Sequence, residues 1–262
     1  LDRTADRPQL ADGELVDAVC LASDAARYTS LAERLPPGEL ARELNAYYGA
    51  LFPVVQRHRG IITDVVGDCM MAVWTGPSAC DRAVAAALEL QTAVDAYNAA
   101  APHALATRFG LHYGRLVLGN VGASQRLEYR AVGDTVNTAS RIQALNKALG
   151  TQRLISESVR TNTTVGVHTR DVGRFRLAGR EQPLRLFELL NPADGDRTQD
   201  LAAFEDALRL FEVGDFDRAR TAFAALLQAR PGDGAARFYL ARCELALHDG
   251  TVTAEPIALD IK

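Results

Sequence analysis

Lysine is almost missing from this chain. Only Lys147 and Lys262 occur in 262 residues, so a cationic contact to a phosphate is expected from arginine, whose planar fork suits it. A basic excess is missing as well: the net charge is -4 and the arginines are scattered. That argues against nucleic acid as a partner and for a small molecule. No uncharged apolar run approaches the roughly twenty residues a bilayer span needs, and no secretory leader opens the chain. A cytoplasmic location, with no membrane contact from this fragment, is the expectation. The start at Leu1 rather than methionine suggests a piece cut from a longer protein. Cysteine is sparse: Cys20, Cys69, Cys80 and Cys243 lack metal-ligand spacing and read as thiols in a reducing compartment. The histidines are dispersed, and His112, inside RFGLHYG, reads as a packing residue.

What is present is enough apolar material, 48%, for one main domain and an appendage. Residues 16–23 read as a strand ending at Asp24, and 38–59 as a helix with Leu40, Leu44, Tyr47, Leu51 and Val55 on one face. Two β-branched runs, 61–66 and 69–74, flank Gly67-Asp68, a hairpin signal because glycine supplies the positive φ of a tight turn. A helix follows at 81–99. Strands at 106–112 and 116–121 pair around Tyr113-Gly114-Arg115. Asp134 caps a third helix that stops at Gly150, and 154–156 and 184–190 close the sheet. The order predicts an α+β fold with helices on one sheet face, related to the split βαβ arrangement. Residues 1–14 and 191–200 read as linkers around a domain at 15–190. GDFDRARTAFAALLQARPGDGAARFYLARC, within a helical region at 201–250, resembles a tetratricopeptide unit and is followed by a tail at 251–262. Such a unit must pack on the main domain, on a partner or on itself, as a cap or as a docking module.

Three groups of residues carry chemistry. Asp24 and Asp68, at strand tips, meet if their strands are neighbours, and paired carboxylates facing solvent are what magnesium wants when it also holds phosphates. Asn137 and Arg141 lie four apart on one helix face, an amide and a fork of charge-assisted donors suited to a phosphoryl transition state. Asp64 puts an acid into an apolar strand; strict alternation gives it the face of Ile62 and Val66. Read alone, Asp68 is a good turn residue and Asp64 a residue on a solvated edge.

LASDAARYTSLAE at 21–33, GIITDVVGDCMMAVW at 60–74, FGLHYGRLVLGNVGA at 109–123 and EYRAVGDTVNTASRI at 128–142 together resemble, in order, the class III nucleotidyl (adenylate and guanylate) cyclase catalytic domain. The resemblance implies a ferredoxin-like cyclase fold and a head-to-tail homodimer with each active site built across the interface. It also implies Mg2+ or Mn2+, two per site, and a nucleoside triphosphate substrate. Asp24 and Asp68 match the metal-binding aspartates, with the carbonyl of Ala25 completing the shell. Backbone amides near Tyr28 and Thr29 match the phosphate cradle. Asn137 matches the residue that orients the ribose, and Arg141 the one that stabilises the pentavalent phosphorus, both from the partner chain.

Two departures stand out. The base-reading positions, usually lysine with aspartate or threonine in adenylate cyclases, are here Asp64 and Arg130. The phosphate-binding lysine of the family corresponds to Ala178, and Arg180, two residues on, is its stand-in. Asp64 and Arg130 either read the base, which favours GTP over ATP, or pair with each other and read nothing. The competing reading of the whole chain is a silent nucleotide-binding or dimerisation module.

Overall fold

Alternation along one strand sets the architecture. In β1 (Glu14–Ala25), Val19 and Leu21 join one core cluster, while the small Ala18, Cys20 and Ala22 join another, as a period of two requires. β1 lies between β3 (Cys69–Thr75) and β4 (Thr107–Ala123), antiparallel to both. The remaining strands are β2 (Ile61–Val66), β5 (Arg126–Val132), β6 (Arg153–Ser156), β7 (Thr169–Arg176), β8 (Leu184–Leu189) and β9 (Ile257–Ala258). The sheet runs β2-β3-β1-β4-β6-β8-β7-β9, with β5 paired on the outer half of β4. This computed structural model describes residues 13–123, 126–191, 198–250, 254 and 256–258. Most of the expected linkers and of the 251–262 tail lie outside those residues, as does Lys262.

The α+β class holds. α2 (Pro37–Arg57) and α3 (Ala79–Ala100) cover the Val19 and Leu21 face, closing a core around Tyr47, Leu51, Trp74, Leu90 and Phe109. The expectation that helices keep to one face needs correcting for α4 (Asp134–Leu149), whose Ala139 packs with Ala18, Cys20 and Ala22 on the other side. Small residues admit it. A Cβ on Gly110 would lie 2.2 Å from the Gln143 nitrogen, so only glycine lets α4 lie this close to the sheet.

The strand pair expected around Tyr113-Gly114-Arg115 is instead one continuous strand: these residues oppose Val19, Ala18 and Asp17 of β1 without interruption. Gly114 makes room for Thr135, whose Oγ1 would sit 2.8 Å from a Cβ there, rather than turning the chain. The hairpin partner of β4 is β5. Asp134 is not a cap either. Gly133 precedes the helix, and the Asp134 carboxylate is used elsewhere. Gly150 ends the helix in the left-handed region, as expected.

Of the packings open to the C-terminal helices, the chain uses its own main domain. α6 (Thr198–Glu212), α7 (Phe216–Ala229) and α8 (Gly234–Asp249) bring Phe204, Phe211, Phe223 and Tyr239 into one core with Leu145 and Leu149 of α4 and Phe175 of β7. Arg170 is 4% exposed between Glu188 and Asp233, and its guanidinium lies 4.4 Å from the centre of the Phe204 ring. Among the described residues no helix is long and apolar enough to cross a membrane.

Candidate functional site

The β2–β3 hairpin turns on Gly67, at φ +60, and its tip is held by the Tyr48 hydroxyl of α2, which donates to the Gly67 carbonyl at 2.7 Å. Asp68 therefore has a fixed place. Its Oδ2 accepts the backbone N–H of Ala25 at 3.0 Å, which ties the tip to the end of β1 beside Asp24. Cys69 Sγ donates to Asp24 Oδ1 at 3.6 Å, and the donor atoms of Asp24, Asp68 and Cys69 all lie within 4.8 Å of one another. Burial, and then the charge of Asp24, push the Asp68 carboxyl above its ordinary range. Two half-buried carboxylates in this relation are a group that could hold a cation. Hard oxygen donors on an open cleft suit a magnesium or manganese ion that keeps waters and binds phosphate.

The cleft beside them has a volume of about 550 Å³, and Ala25, Tyr28 and Thr29 are among the residues that line it. Tyr28 and Thr29 open the short α1 (Tyr28–Ala32), after Arg27 in the left-handed region. Sequence reasoning missed Arg108, Gln143 and Lys147, which also line this cleft. Arg108 stands opposite Asp24 in the β1–β4 register, with Nη1 3.9 Å from its carboxylate. Lys147, one of the chain's two lysines, is exposed. It follows Gln143 by four residues, so both project from one side of α4.

Asn137 and Arg141 are on α4 too, but they do not line that cleft. Asn137 is exposed, and no side-chain hydrogen bond engages it among the described residues. Arg141 Nη1 is 4.0 Å from Asp134 Oδ1, while Arg180 Nη1 donates to Asp134 Oδ2 at 2.7 Å and to Thr138 Oγ1 at 2.8 Å. Gly179, at φ +70, lets the turn pass over Arg141: a Cβ there would be 3.3 Å from Arg141 Nη2. Arg141 and Arg180 thus stand side by side over one carboxylate. Nearby His112 is buried and bonded to Ser156 Oγ at 2.9 Å; burial and the Arg180 charge push its imidazole down to about 4, in keeping with a packing role.

Asp64 sits on the edge strand β2, and a β-bulge between Ile62 and Asp64 breaks the expected alternation. Ile62 opposes Ala72 on the α2 and α3 face, whereas Asp64 opposes Met71 on the α4 face. Asp64 and Val66 line a second, smaller cavity of 160 Å³ with Met71, Ser140 and Gln143. Arg130 Nη1 lies 3.7 Å from Asp64 Oδ2, at side-chain exposures of 42% and 38%. A contact that long and that exposed is worth at most about 1 kcal/mol. Arg130 is held instead by Glu128, through Nε at 2.8 Å and Nη2 at 2.7 Å. Glu128 was also missed, although residues two apart on a strand share a face.

Set beside known proteins, residues 13–190 match the family described as "Adenylate and Guanylate cyclase catalytic domain", and residues 210–250 match the tetratricopeptide repeat. Adenylate cyclase 1 of Rhizobium meliloti (strain 1021) is 34% identical over 182 residues, 66% of this chain and 27% of that protein, so the chain spans about a quarter of its length. The solved guanylyl cyclase Cya2 is 26% identical at a TM-score of 0.61, covering 69% of this chain and 96% of its own. The adenylyl cyclase CyaB from P. aeruginosa is 25% identical at a TM-score of 0.60, with the same 69% and 96% covered.

Proposed function

The chain belongs to the adenylate and guanylate cyclase catalytic-domain family, and from that premise we propose that it converts a nucleoside triphosphate, GTP by preference, into a 3′,5′-cyclic nucleotide and pyrophosphate. The sites are shared between two copies in a head-to-tail homodimer. One observation carries this reading. Asp24 and Asp68 converge on one cleft while Asn137, Arg141 and Arg180 cluster elsewhere on the same chain, so one copy holds two halves that do not meet. A second copy completes them. Exposed Val66, Val121, Leu127, Tyr129 and Val132, on β2 and the β4–β5 arm, are apolar surface that such a partner would cover.

Asp24, Asp68 and the carbonyl of Ala25 are the groups to hold two Mg2+ or Mn2+ ions, which when bound supply charge neutralisation to the triphosphate. The rest falls to side chains. Attack of the ribose 3′ oxygen on the α-phosphorus is intramolecular, so the chain has to fold the nucleotide and absorb charge as pyrophosphate departs. Asn137 of the partner subunit orients the ribose. Arg141 of the partner subunit donates to the α-phosphate oxygens as their charge grows, and Arg180 beside it takes a neighbouring phosphate oxygen. The amides of Tyr28 and Thr29 face the phosphates from the metal side.

Base preference rests on Asp64. Because Arg130 lies closer to Glu128, at 2.7 Å, than to Asp64, at 3.7 Å, the Asp64 carboxylate keeps capacity to accept further hydrogen bonds. Guanine offers N1–H and an exocyclic amine as donors, whereas adenine N1 is an acceptor and would face the carboxylate unpaired. The same geometry favours a second reading, ATP to cyclic AMP: with Nε and Nη2 engaged by Glu128, Arg130 has less of its fork left for guanine O6 and N7. The test is purified protein with Mn2+ or Mg2+ and ATP, GTP, CTP or UTP offered singly, the cyclic products being identified by mass spectrometry. Absence of any cyclic nucleotide overturns the enzyme reading; cyclic AMP as the main product overturns the GTP preference.

A further inference from the structure

We propose that Lys147 binds the outer phosphates of the nucleotide, and the pyrophosphate released from it, in the cleft of its own chain's Asp24 and Asp68. The proposal rests on the reading of that cleft as the phosphate side of a cyclase site. Lys147 is the chain's one lysine apart from Lys262. It is exposed, projects from the last turn of α4 and lines the same cleft as the two acids, with Gln143 and Ala144 of its own helix. No carboxylate pairs with it among the described residues, unlike Arg108, which stands 3.9 Å from Asp24, and Arg180, which is bonded to Asp134.

The cleft therefore holds carboxylates at the strand ends and, on α4, an ammonium that no carboxylate pairs with among the described residues. A polyphosphate with its cations fits that order: metal-bridged oxygens toward Asp24 and Asp68, and remaining anionic oxygens toward Lys147. An ammonium on a flexible stem suits such an end group, whose oxygens are equivalent and need no forked geometry. Arg141 and Arg180 are spent on the other half-site, so Lys147 adds a cation that the composition alone had discounted. The competing role is structural, a positive charge near the negative end of the α4 dipole.

The experiment measures binding of inorganic pyrophosphate and tripolyphosphate, with Mn2+, to the full chain by calorimetry, in the parent and in Lys147→Gln and Lys147→Arg. Lys147→Gln should weaken both ligands about tenfold, the scale of one charge-assisted hydrogen bond, while Lys147→Arg keeps most of the affinity. The melting temperature should not move by more than a degree or two. In turnover, KM for the nucleotide and the pyrophosphate inhibition constant should rise together, with kcat changed less than threefold. Unchanged pyrophosphate binding in Lys147→Gln overturns the proposal, as does a loss matched by an equal loss in Lys147→Arg together with a lowered melting temperature. Lys147-dependent pyrophosphate binding without any cyclic product would overturn the cyclase reading and keep this one. Cyclic product with pyrophosphate binding indifferent to Lys147 would do the reverse.

Discussion

Asp68 Oδ2 accepts the backbone N–H of Ala25 at 3.0 Å, joining two residues 43 positions apart. This bond ties the hairpin tip to the end of β1 and fixes the Asp68 side chain beside Asp24. Asp68→Asn keeps the acceptor and removes the charge. We expect this variant to fold, with a melting temperature equal to or above the parent's, since a carboxylate that burial and Asp24 disfavour is gone. Its Mn2+ affinity, read by titration calorimetry, should fall at least tenfold, and cyclic nucleotide formation should be lost.

Metal affinity should rise with pH. The Asp68 carboxyl is raised above the ordinary carboxylate range by burial and by Asp24, so a cation competes there with a proton over a window beginning above the usual value near 4. The sign follows: below that window the proton wins, and above it the cation binds freely. Mn2+ dissociation constants measured from pH 4.5 to 8 should fall and then level, and Asp68→Asn should flatten the curve.

Mixing two dead variants should restore turnover. Asp68→Ala spoils the cleft half and Arg141→Ala the other half, so a mixed dimer keeps one intact site of its two. At equal amounts with free exchange, activity should recover to about a quarter of the parent's, half the dimers being mixed and each half active. No recovery, with subunit exchange verified by a fluorescence label, would count against sites shared between chains.

The GTP to ATP ratio of kcat/KM should exceed one in the parent and fall in Asp64→Lys combined with Arg130→Thr. An acceptor facing adenine N1 leaves unpaired buried groups at about 1 to 3 kcal/mol each, or roughly tenfold to a hundredfold. Glu128→Gln should change the ratio as well, because Arg130 then loses the carboxylate that holds its Nε and Nη2. A double variant with an unmoved ratio would remove Asp64 from base reading.

Arg170→Ala should be among the most destabilising single changes outside the site. It leaves Glu188 and Asp233 without their shared cation in a buried setting, at a cost of about 3 to 5 kcal/mol. The effect should appear in chemical denaturation as loss of the whole domain, since the C-terminal helices share a core with α4 and β7. A separate early transition for those helices would show that the core is not cooperative.

Motif order along the chain sufficed for the family, because VGDTVNTASRI and the Gly67-Asp68 hairpin are local signals: turn glycines, a helix start and residues four apart on a face. The same local reading placed Asp24 and Asp68 at strand ends. It failed at Tyr113-Gly114-Arg115, where glycine serves a close approach to Thr135 rather than a turn. It failed again at Asp64, because a bulge adds one residue to a strand and reverses every face beyond it.

The amino-acid sequence by itself determined the fold class, the family and the residue types of the site, since each depends on spacing within one element. Tertiary structure alone decided which groups meet. It placed α4 on the second sheet face through Gly110, so that Gln143 and Lys147 line the cleft of their own chain's Asp24 and Asp68 while Asn137 and Arg141 do not. It set Arg130 between two carboxylates, closer to Glu128 than to Asp64, and it docked the C-terminal helices on that same α4. The physical reason is that these relations join residues far apart in the chain through close packing, and no local pattern records how near two elements can come.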